Sequence, residues 1–272
     1  MIGKRVTIVV VTHNSADVLG DCLASIELHG GGARTIVVDN ASSDGTCQIA
    51  RAFVRVTLVE SSENEGFSKA NNRGLKTIDA EFALLLNPDA RLTASSLAEL
   101  IAAADRNEAS AAIGPKTIYD DGRPQVSFGP DLTLLSEWGQ GKLVRGVKAS
   151  KPWATLRVRT LTSEEQTVDW VSGSCMLLRM SKAKEVGFFD ERYFLYEEDA
   201  DLCLRLRKKG AIVVFAPKAL VVHALGTSMT KAGDRARQAY DESHRLYYRI
   251  HRGAIEGLLL GAWIGVRRFF GR

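Results

Sequence analysis

Two stretches of this chain place acids where a functional site is expected. Asp89 follows a buried-looking apolar run at residues 82–86 and an Asn-Pro pair that ends it. An acid held at the carboxyl end of a central strand stands where open α/β sheets bind ligands. Four further acids fall within the five positions 197–201, beside several aromatic residues. For Asp89 the structural alternative is a plain turn acid. For residues 197–201 the alternative is that the acids only favour the start of a helix through its dipole, although the dipole does not readily explain four such residues.

The elements around these acids are predicted to form a parallel sheet with helices on both faces. Apolar runs at residues 6–11, 35–38, 56–59 and 82–86 alternate with helical patterns, which is typical of an α/β protein. Polar residues follow three of the runs, at 12–14, 39 and 89, and the carboxyl ends of such strands face one crevice. The chain lacks G-x-G-x-x-G and P-loop motifs, which argues against a dinucleotide-binding domain and a P-loop NTPase.

The second half of the chain has a different pattern. Residues 119–165 carry several glycines, prolines and basic residues, and we predict a flexible flap over a binding site, with a merely mobile insertion as the alternative. A charged helix is predicted at 233–252. Residues 254–272 combine apolar and aromatic residues with arginines, which predicts a helix on an anionic membrane surface. Packing on the domain or on a second subunit of a homodimer is the alternative.

Composition narrows the class of protein. The chain has 272 residues and a net charge of +4, and no nucleic-acid partner is predicted. Its four cysteines are widely spaced without a C-x-x-C pair, which fits reduced thiols in a cytoplasmic protein. No signal peptide is predicted, and no apolar stretch reaches the roughly 18–20 residues that span a bilayer. We therefore expect a cytoplasmic protein, peripheral on the inner face of the membrane.

Several segments, taken in order, resemble the motif series of family 2 glycosyltransferases with the GT-A fold. The likeness covers roughly residues 5–225 and is closest to bacterial rhamnosyltransferases. It implies a Rossmann-like mixed sheet flanked by helices as a domain at 1–230, followed by C-terminal helices at 231–272. It also implies an inverting transfer from a nucleotide-sugar to a hydroxyl, assisted by Mg²⁺ or Mn²⁺. The segments are Val9-Val-Val-Thr-His-Asn-Ser15, Val38-Asp-Asn-Ala-Ser-Ser-Asp-Gly-Thr46, Asn64-Glu-Gly-Phe-Ser-Lys-Ala-Asn-Asn-Arg-Gly74, Leu86-Asn-Pro-Asp89 and Glu198-Asp-Ala-Asp-Leu-Cys-Leu-Arg205.

The resemblance implies a metal site with one acid. Asp89 matches the last acid of the family's D-x-D motif, whereas Asn87 replaces the first. His223 matches a histidine that completes the metal shell in some GT-A enzymes, and a capping or core histidine is the alternative. A divalent cation neutralises the charge that develops on a nucleoside diphosphate leaving group.

The other roles implied by the resemblance concern the donor and the proton. Asp39 matches the acid that accepts the pyrimidine N3–H. The general base comes from the Glu-Asp pair that opens the late helix, with Asp199 as the first choice and Glu198 as the second. Residues expected to contact the nucleoside, the diphosphate, or the donor sugar and acceptor are Thr12, Asn14, Asn64, Gly66, Phe67, Asn71, Trp170 and Gly173.

The sequence thus predicts transfer of L-rhamnose from dTDP-L-rhamnose to a lipid-linked or polysaccharide acceptor in cell-envelope glycan synthesis. The sugar rests on the resemblance alone, and a UDP-hexose donor stays open. A nucleotidyltransferase is a second hypothesis, but it needs a glycine-rich basic loop after the first strand, where residues 12–15 offer none. A non-catalytic sugar- or nucleotide-binding module is a third.

Overall fold

The N-terminal half follows the predicted strand–helix alternation. The protein was studied as a computed structural model that describes residues 2–224 and 227–269, with side chains at 2–224 and 235–262. The elements are β1 (Val6–Thr12), α1 (Leu19–His29), β2 (Arg34–Asp39), α2 (Thr46–Arg51), β3 (Val56–Glu60), α3 (Gly66–Leu75) and β4 (Phe82–Leu86). The four strands lie in the order β3-β2-β1-β4 and are parallel to one another.

The C-terminal half completes the sheet and makes it mixed, as the resemblance implied. The elements are β5 (Ala90–Leu92), α4 (Ser96–Arg106), β6 (Ser110–Ile118), β7 (Phe128–Gly129), α5 (Leu134–Lys148), α6 (Pro152–Leu161), β8 (Gln166–Val168), β9 (Trp170–Val171), β10 (Cys175–Arg179), α7 (Met180–Glu185), α8 (Glu198–Lys208), β11 (Ile212–His223), α9 (Thr227–His251) and α10 (Ala254–Phe269). Strand β10 lies antiparallel between β4 and β6. The nine-stranded sheet has the order β3-β2-β1-β4-β10-β6-β11-β5, with β8 beside β11.

The central strands are buried on both faces, which explains their unbroken apolar runs. Along β1, Ile8 and Val10 pack into one hydrophobic cluster and Val9 packs into another, because successive side chains of a strand point to opposite faces. β4 alternates in the same way between Leu84 and Leu85. Helices cover both faces, so the strands have no polar side to reveal in sequence.

The irregular structure predicted for residues 119–165 is wrong, because much of this segment is the helical hairpin α5–α6. Thr133 caps α5 and accepts a hydrogen bond from the Ser136 amide at 3.1 Å. Pro152 occupies the start of α6, where its missing N–H costs nothing. A Cβ on Gly146 would come within 2.6 Å of the Ala154 Cβ, so Gly146 lets the two helices pack closely. The opening of this segment over a site stays a prediction.

The C-terminal helices pack against the rest of the molecule. Tyr247 and Tyr248 of α9 and Leu260 of α10 are buried in a cluster with Tyr193 and Leu204. In the described part, the predicted boundary after residue 230 therefore does not separate two cores. The aromatic and arginine side chains predicted to contact a membrane from Trp263 onward lie outside the described residues. No helix in the described part of the chain is both long and apolar enough to cross a bilayer.

Candidate active site

Asp39 is a buried and firmly oriented carboxylate at the end of β2. Its Oδ1 accepts hydrogen bonds from the Thr12 hydroxyl at 2.9 Å and the Ser42 hydroxyl at 2.6 Å, and its Oδ2 accepts the Ser42 amide at 2.8 Å. Asn14 stands in the loop after β1 with a positive φ of 50°, and its Oδ1 accepts the Ser43 amide at 2.8 Å. The structure thus brings three of the predicted nucleoside-pocket residues to the same edge of the sheet.

Asn40 joins this edge to the start of α3, a role that we did not predict from the sequence. Its Nδ2 donates to the Asn64 Oδ1 at 2.8 Å and to the Gly66 carbonyl at 3.1 Å, and its Oδ1 accepts the Glu65 amide at 2.8 Å. Asn40 stands within a segment that resembles the family, next to Asp39, and that position was the available signal. The side chain fixes the loop after β2 against the predicted diphosphate-binding segment.

The start of α3 packs against the aromatic loop that precedes α8. The Phe67 amide donates to the Phe194 carbonyl at 2.7 Å, and a Cβ on Gly66 would lie 2.5 Å from that oxygen. Buried Asn71 donates to the Phe67 carbonyl at 2.9 Å. Asn72, which sequence reasoning missed, holds the same loop by donating to the Phe189 carbonyl at 2.9 Å and accepting its amide at 3.0 Å. These residues therefore set the position of the loop as well as facing the crevice.

Asp89 and His223 meet where β5 and β11 run side by side. The Asp89 Oδ1 lies 3.1 Å from the His223 Nε2, and both side chains are largely buried. Gln125 donates from its Nε2 to the His223 carbonyl at 2.6 Å, which leaves its Oε1 3.0 Å from the His223 Nδ1. In this amide orientation the Nδ1 of the ring carries the proton that Oε1 accepts. A neutral His223 then turns the lone pair of Nε2 toward the Asp89 carboxylate.

This pair fits a divalent cation. Two lone pairs that face each other are stable only when a proton or a cation lies between them. Gln125 orients the His223 ring as an outer hydrogen-bond partner orients a ligating histidine. Two neighbouring ligands of an octahedral ion, each at about 2.1 Å, are about 3 Å apart, close to the observed separation. The described residues contain no group of three or more His, Cys, Asp or Glu suited to a metal, and Asn87 is a partly buried neighbour of Asp89. A cation held here needs most of its ligands from substrate and water.

Asp199 is the acid best suited to accept a proton. Its Oδ2 accepts the Gly173 amide at 2.9 Å and its Oδ1 accepts the Ala200 amide at 2.8 Å, while the residue keeps partial exposure. Burial raises the pKa of Asp199 to about 6, although the Gly173 amide opposes the rise. Glu198 is 5% exposed, and burial, followed by the charge of Asp199, raises its pKa well above the usual range. Near neutral pH Asp199 is thus ionised, whereas Glu198 keeps its proton to a higher pH than an ordinary glutamate does, which favours Asp199 as the base.

The other two acids of this group are held by histidines of α9. His244 Nδ1 lies 2.9 Å from the Glu197 Oε1 and its Nε2 lies 3.0 Å from the Glu137 Oε2 of α5. Burial opposes protonation of the ring, but the two carboxylates outweigh it and raise the pKa of His244 to about 9. Asp201 is bound by Arg205 and by His251, each at 2.7 Å. The sequence showed α9 only as a charged helix, so neither histidine was predicted to hold these acids.

Trp170 and Gly173 lie near the proposed base in different ways. The Trp170 indole N–H donates to the Pro130 carbonyl at 2.9 Å, so this ring is anchored on the loop before α5. A Cβ on Gly173 would lie 3.4 Å from the Phe67 ring and 3.6 Å from the Asp199 Cβ. Phe67, Gly173 and Asp199 therefore form one continuous wall, whereas Trp170 supports it from the side of β9.

The mixed sheet, the acids at its strand ends and the held carboxylate of α8 define a glycosyltransferase with the GT-A fold. Residues 7–187 match the family model described as Glycosyl transferase family 2, and the chain belongs to that family.

Relatives agree with this assignment and confirm the resemblance to rhamnosyltransferases. The chain is 34% identical over 230 residues to the N-acetylglucosaminyl-diphospho-decaprenol L-rhamnosyltransferase of Mycobacterium tuberculosis, covering 79% of this chain and 75% of that protein. It is 26% identical over 227 residues to rhamnosyltransferase WbbL of Escherichia coli, covering 80% and 83%. The mannosyltransferase PcManGT of Pyrobaculum calidifontis, solved with GDP-Man and Mn²⁺, shares the fold with a TM-score of 0.59 at 16% identity, covering 97% of this chain and 80% of that one.

The close approach at Gly66 predicts a large effect of Gly66→Ala on stability. Gly66 has a φ of +84° and no space beside the Phe194 carbonyl, whereas Gly210 has the same φ of +84° and no atom within 4 Å of a Cβ. Gly210→Ala is expected to cost about 1 kcal/mol of unfolding free energy through backbone strain. Gly66→Ala is expected to lose about 1–3 kcal/mol more through overpacking. Urea unfolding of both variants checks this, and equal losses would contradict the proposed contact.

The His244 cluster predicts a stability that falls with rising pH. The folded pKa of about 9 exceeds the ordinary value of 6.5, so the stabilisation is complete below about pH 6.5 and is lost as the pH rises through about 9. The shift corresponds to roughly 3 kcal/mol, or about 6–12 °C in Tm for a chain of this size. We expect the Tm of the wild type to fall more between pH 6.5 and 10 than that of His244→Gln. Parallel Tm curves would exclude His244 as the titrating group.

Proposed function

We propose that this protein is an inverting, metal-dependent glycosyltransferase that moves L-rhamnose from dTDP-L-rhamnose to a hydroxyl of a lipid-linked acceptor. The observation that carries the proposal is the partly exposed Asp199 carboxylate, held by two backbone amides and with a pKa near 6. The choice of sugar and acceptor is supported by the likeness to the mycobacterial L-rhamnosyltransferase. A polysaccharide hydroxyl is the alternative acceptor.

Asp39 is proposed to recognise the base of the donor. The carboxylate already accepts three hydrogen bonds from Thr12 and Ser42, which fix its plane, and about four lone-pair positions on a carboxylate leave room for another donor. The N3–H of a pyrimidine supplies such a donor. Because Asn40 ties this loop to Asn64 and Gly66, the base pocket and the segment assigned to the diphosphate keep a fixed relation.

Asp89 and His223 are proposed to hold Mg²⁺ or Mn²⁺, which when bound neutralises the negative charge that develops on the departing diphosphate. Gln125 keeps the lone pair of His223 Nε2 turned toward the site. The imidazole ligand suits Mn²⁺ better than Mg²⁺, because Mg²⁺ prefers oxygen. Asn87 lies beside Asp89 and is assigned to the same donor-binding edge.

Asp199 is proposed to take the proton from the acceptor hydroxyl as that oxygen attacks the anomeric carbon. Attack from the face opposite the diphosphate inverts the configuration, and it needs a base on the acceptor side. The amides of Gly173 and Ala200 orient the carboxylate so that it cannot rotate away from the crevice. Burial and the charge of Asp199 raise the pKa of Glu198, which makes Glu198 less ready than Asp199 to carry a negative charge.

Removal of the base is expected to lower turnover strongly. Asp199→Asn should reduce kcat by roughly 10²-fold or more, whereas Glu198→Gln keeps a side chain of similar shape at a residue that is not the proposed base and should lose less than about tenfold. In the wild type, kcat should rise with pH through about 6, as the pKa of Asp199 requires. Steady-state kinetics from pH 5 to 8 with folded variants checks this. A larger loss in Glu198→Gln would assign the base to Glu198 instead.

Donor choice and the metal site are tested together by nucleotide release. The wild type should release dTDP from dTDP-L-rhamnose at least about tenfold faster than UDP from UDP-glucose or UDP-galactose, a difference of about 1.4 kcal/mol. EDTA should remove this activity, and Asp89→Asn should abolish it without unfolding. Asp21→Asn changes an exposed acid of α1 and serves as the control. Equal release from the UDP-sugars contradicts the rhamnose donor, and an active Asp89→Asn contradicts the metal site.

A further inference from the structure

The outer face of the α5–α6 hairpin exposes large apolar side chains that the core does not need. Leu135 and Trp138 of α5 are 79% and 65% exposed, and Trp153 and Leu156 of α6 are 50% and 67% exposed. Each pair is spaced i, i+3, so each helix carries its pair on one side. The opposite sides are already buried, in a cluster that contains Tyr119, Val147, Ala154 and Val158. The outer face is therefore an apolar surface on an otherwise anchored hairpin.

The same segment is strongly basic. Residues 134–161 contain six basic residues and one acid. The acid, Glu137, is engaged by the Tyr248 hydroxyl at 2.7 Å and by His244 at 3.0 Å, so it does not offset the positive charge of the outer face. Lys142 lies over the Trp138 ring at 5.6 Å from its centroid. The basic side chains, all exposed, are Lys142, Arg145, Lys148, Lys151, Arg157 and Arg159.

We propose that this outer face, defined by Leu135, Trp138, Trp153 and Leu156 with the six basic residues, docks the protein on an anionic lipid bilayer. Tryptophan suits the boundary between headgroups and acyl chains, and each basic residue near an anionic surface adds to the attraction. A protein partner would need acids placed to match, whereas a fluid bilayer meets any arrangement of cations. The mixture of apolar and basic residues without a free acid therefore favours lipid.

Neighbouring elements contact this hairpin and connect it to the proposed site. Helix α10 exposes Ile255, Leu258 and Leu259, and its Leu260 shares a cluster with Leu134 at the start of α5. Through Glu137 and His244, α5 is also linked to Glu197, the residue before the Glu198–Asp199 pair. A docked hairpin would hold the acceptor side of the site at the bilayer surface. This consequence, unlike the docking itself, rests on the proposed lipid-linked acceptor.

Vesicle co-sedimentation tests the docking with two variants and two matched controls. The full-length protein is mixed with vesicles of neutral phosphatidylcholine or of phosphatidylcholine with 30% phosphatidylglycerol, a composition that makes the surface anionic. The apolar variant is Leu135→Ser/Trp138→Ser/Leu156→Ser, and its control changes Leu28→Ser/Val54→Ser, which are exposed elsewhere. The charge variant is Lys142→Glu/Lys148→Glu/Arg157→Glu, and its control, with the same change in net charge, is Arg34→Glu/Arg55→Glu/Lys209→Glu.

The wild type and both controls should bind the anionic vesicles and release them in high salt, and both variants should bind at least about tenfold more weakly. Equal binding by variants and controls would overturn the proposal, as would binding that does not depend on anionic lipid. A wild-type dimer that the apolar variant converts to a monomer, without vesicle binding, would assign the face to a second copy of the chain. Preferential binding of RNA over vesicles would assign it to nucleic acid.

Nucleotide release from dTDP-L-rhamnose, measured without vesicles, separates this inference from the proposed function. Both surface variants should release nucleotide at the wild-type rate, because none of the changed residues is among those assigned to the donor, the metal or the base. Release without vesicle binding by the wild type overturns the docking surface alone. Vesicle binding without release from any nucleotide-sugar overturns the proposed function alone.

Discussion

The structure around the site depends on how four carboxylates, two of them buried and two partly exposed, are held within five positions at the start of α8. Like charges so close in a poorly solvated place are stable only when each has its own partner or stays protonated. Glu197 pairs with His244, Asp201 pairs with Arg205 and His251, and Asp199 accepts two backbone amides, while burial raises the pKa of Glu198 and so favours its protonated form. These partners come from α9, from the turn before β10 and from α8 itself. The need to satisfy the acids thus explains why the C-terminal helices pack on the catalytic domain, and it leaves Asp199 as the ionised acid with partial exposure.

The proposed donor side and the proposed acceptor side of the site are joined by the loop that precedes α8. Helix α3, whose start is assigned to the diphosphate, also holds the aromatic loop through Phe67 and Asn72, and that loop leads directly into α8. Tyr196 and Glu197, the last residues before α8, both have positive φ angles, of 73° and 65°. Such conformations persist in non-glycine residues only where the surroundings enforce them. The contacts from α3 and from His244 hold these two residues in their positive-φ conformations. A shift of the proposed donor-binding segment is therefore expected to move the proposed base as well.

The sequence predicts those features of the structure that leave a signal within a short stretch of the chain. Continuous apolar runs located β1 to β4, because strands buried on both faces lose polar alternation, and the acids at 39 and 89 were found because they follow those runs. Helices α5 and α6 were missed because the glycines and prolines of residues 119–165 indicate irregular structure, and only the position of Ala154 shows that Gly146 permits close packing. The link from His244 to Glu197 spans 47 positions in the chain. No periodicity in the sequence indicates such a contact, because the contact depends on where α9 packs against the rest of the fold.

The proposed metal site has a single acid, and Gln125 helps to explain how such a site can hold a cation. A site with two carboxylates attracts a cation by charge alone, whereas here Asn87 stands in place of the first acid and is neutral. Gln125 compensates in part, because it fixes the His223 tautomer and so removes the cost of turning the ring toward a cation. Hard cations in such sites fill their remaining positions with substrate phosphates and water. In the proposed site, the affinity for the cation is therefore expected to be low without a nucleotide and to rise when the diphosphate adds its oxygens. By linkage, the cation would tighten the binding of the donor by the same factor, so that donor and metal would bind as one unit.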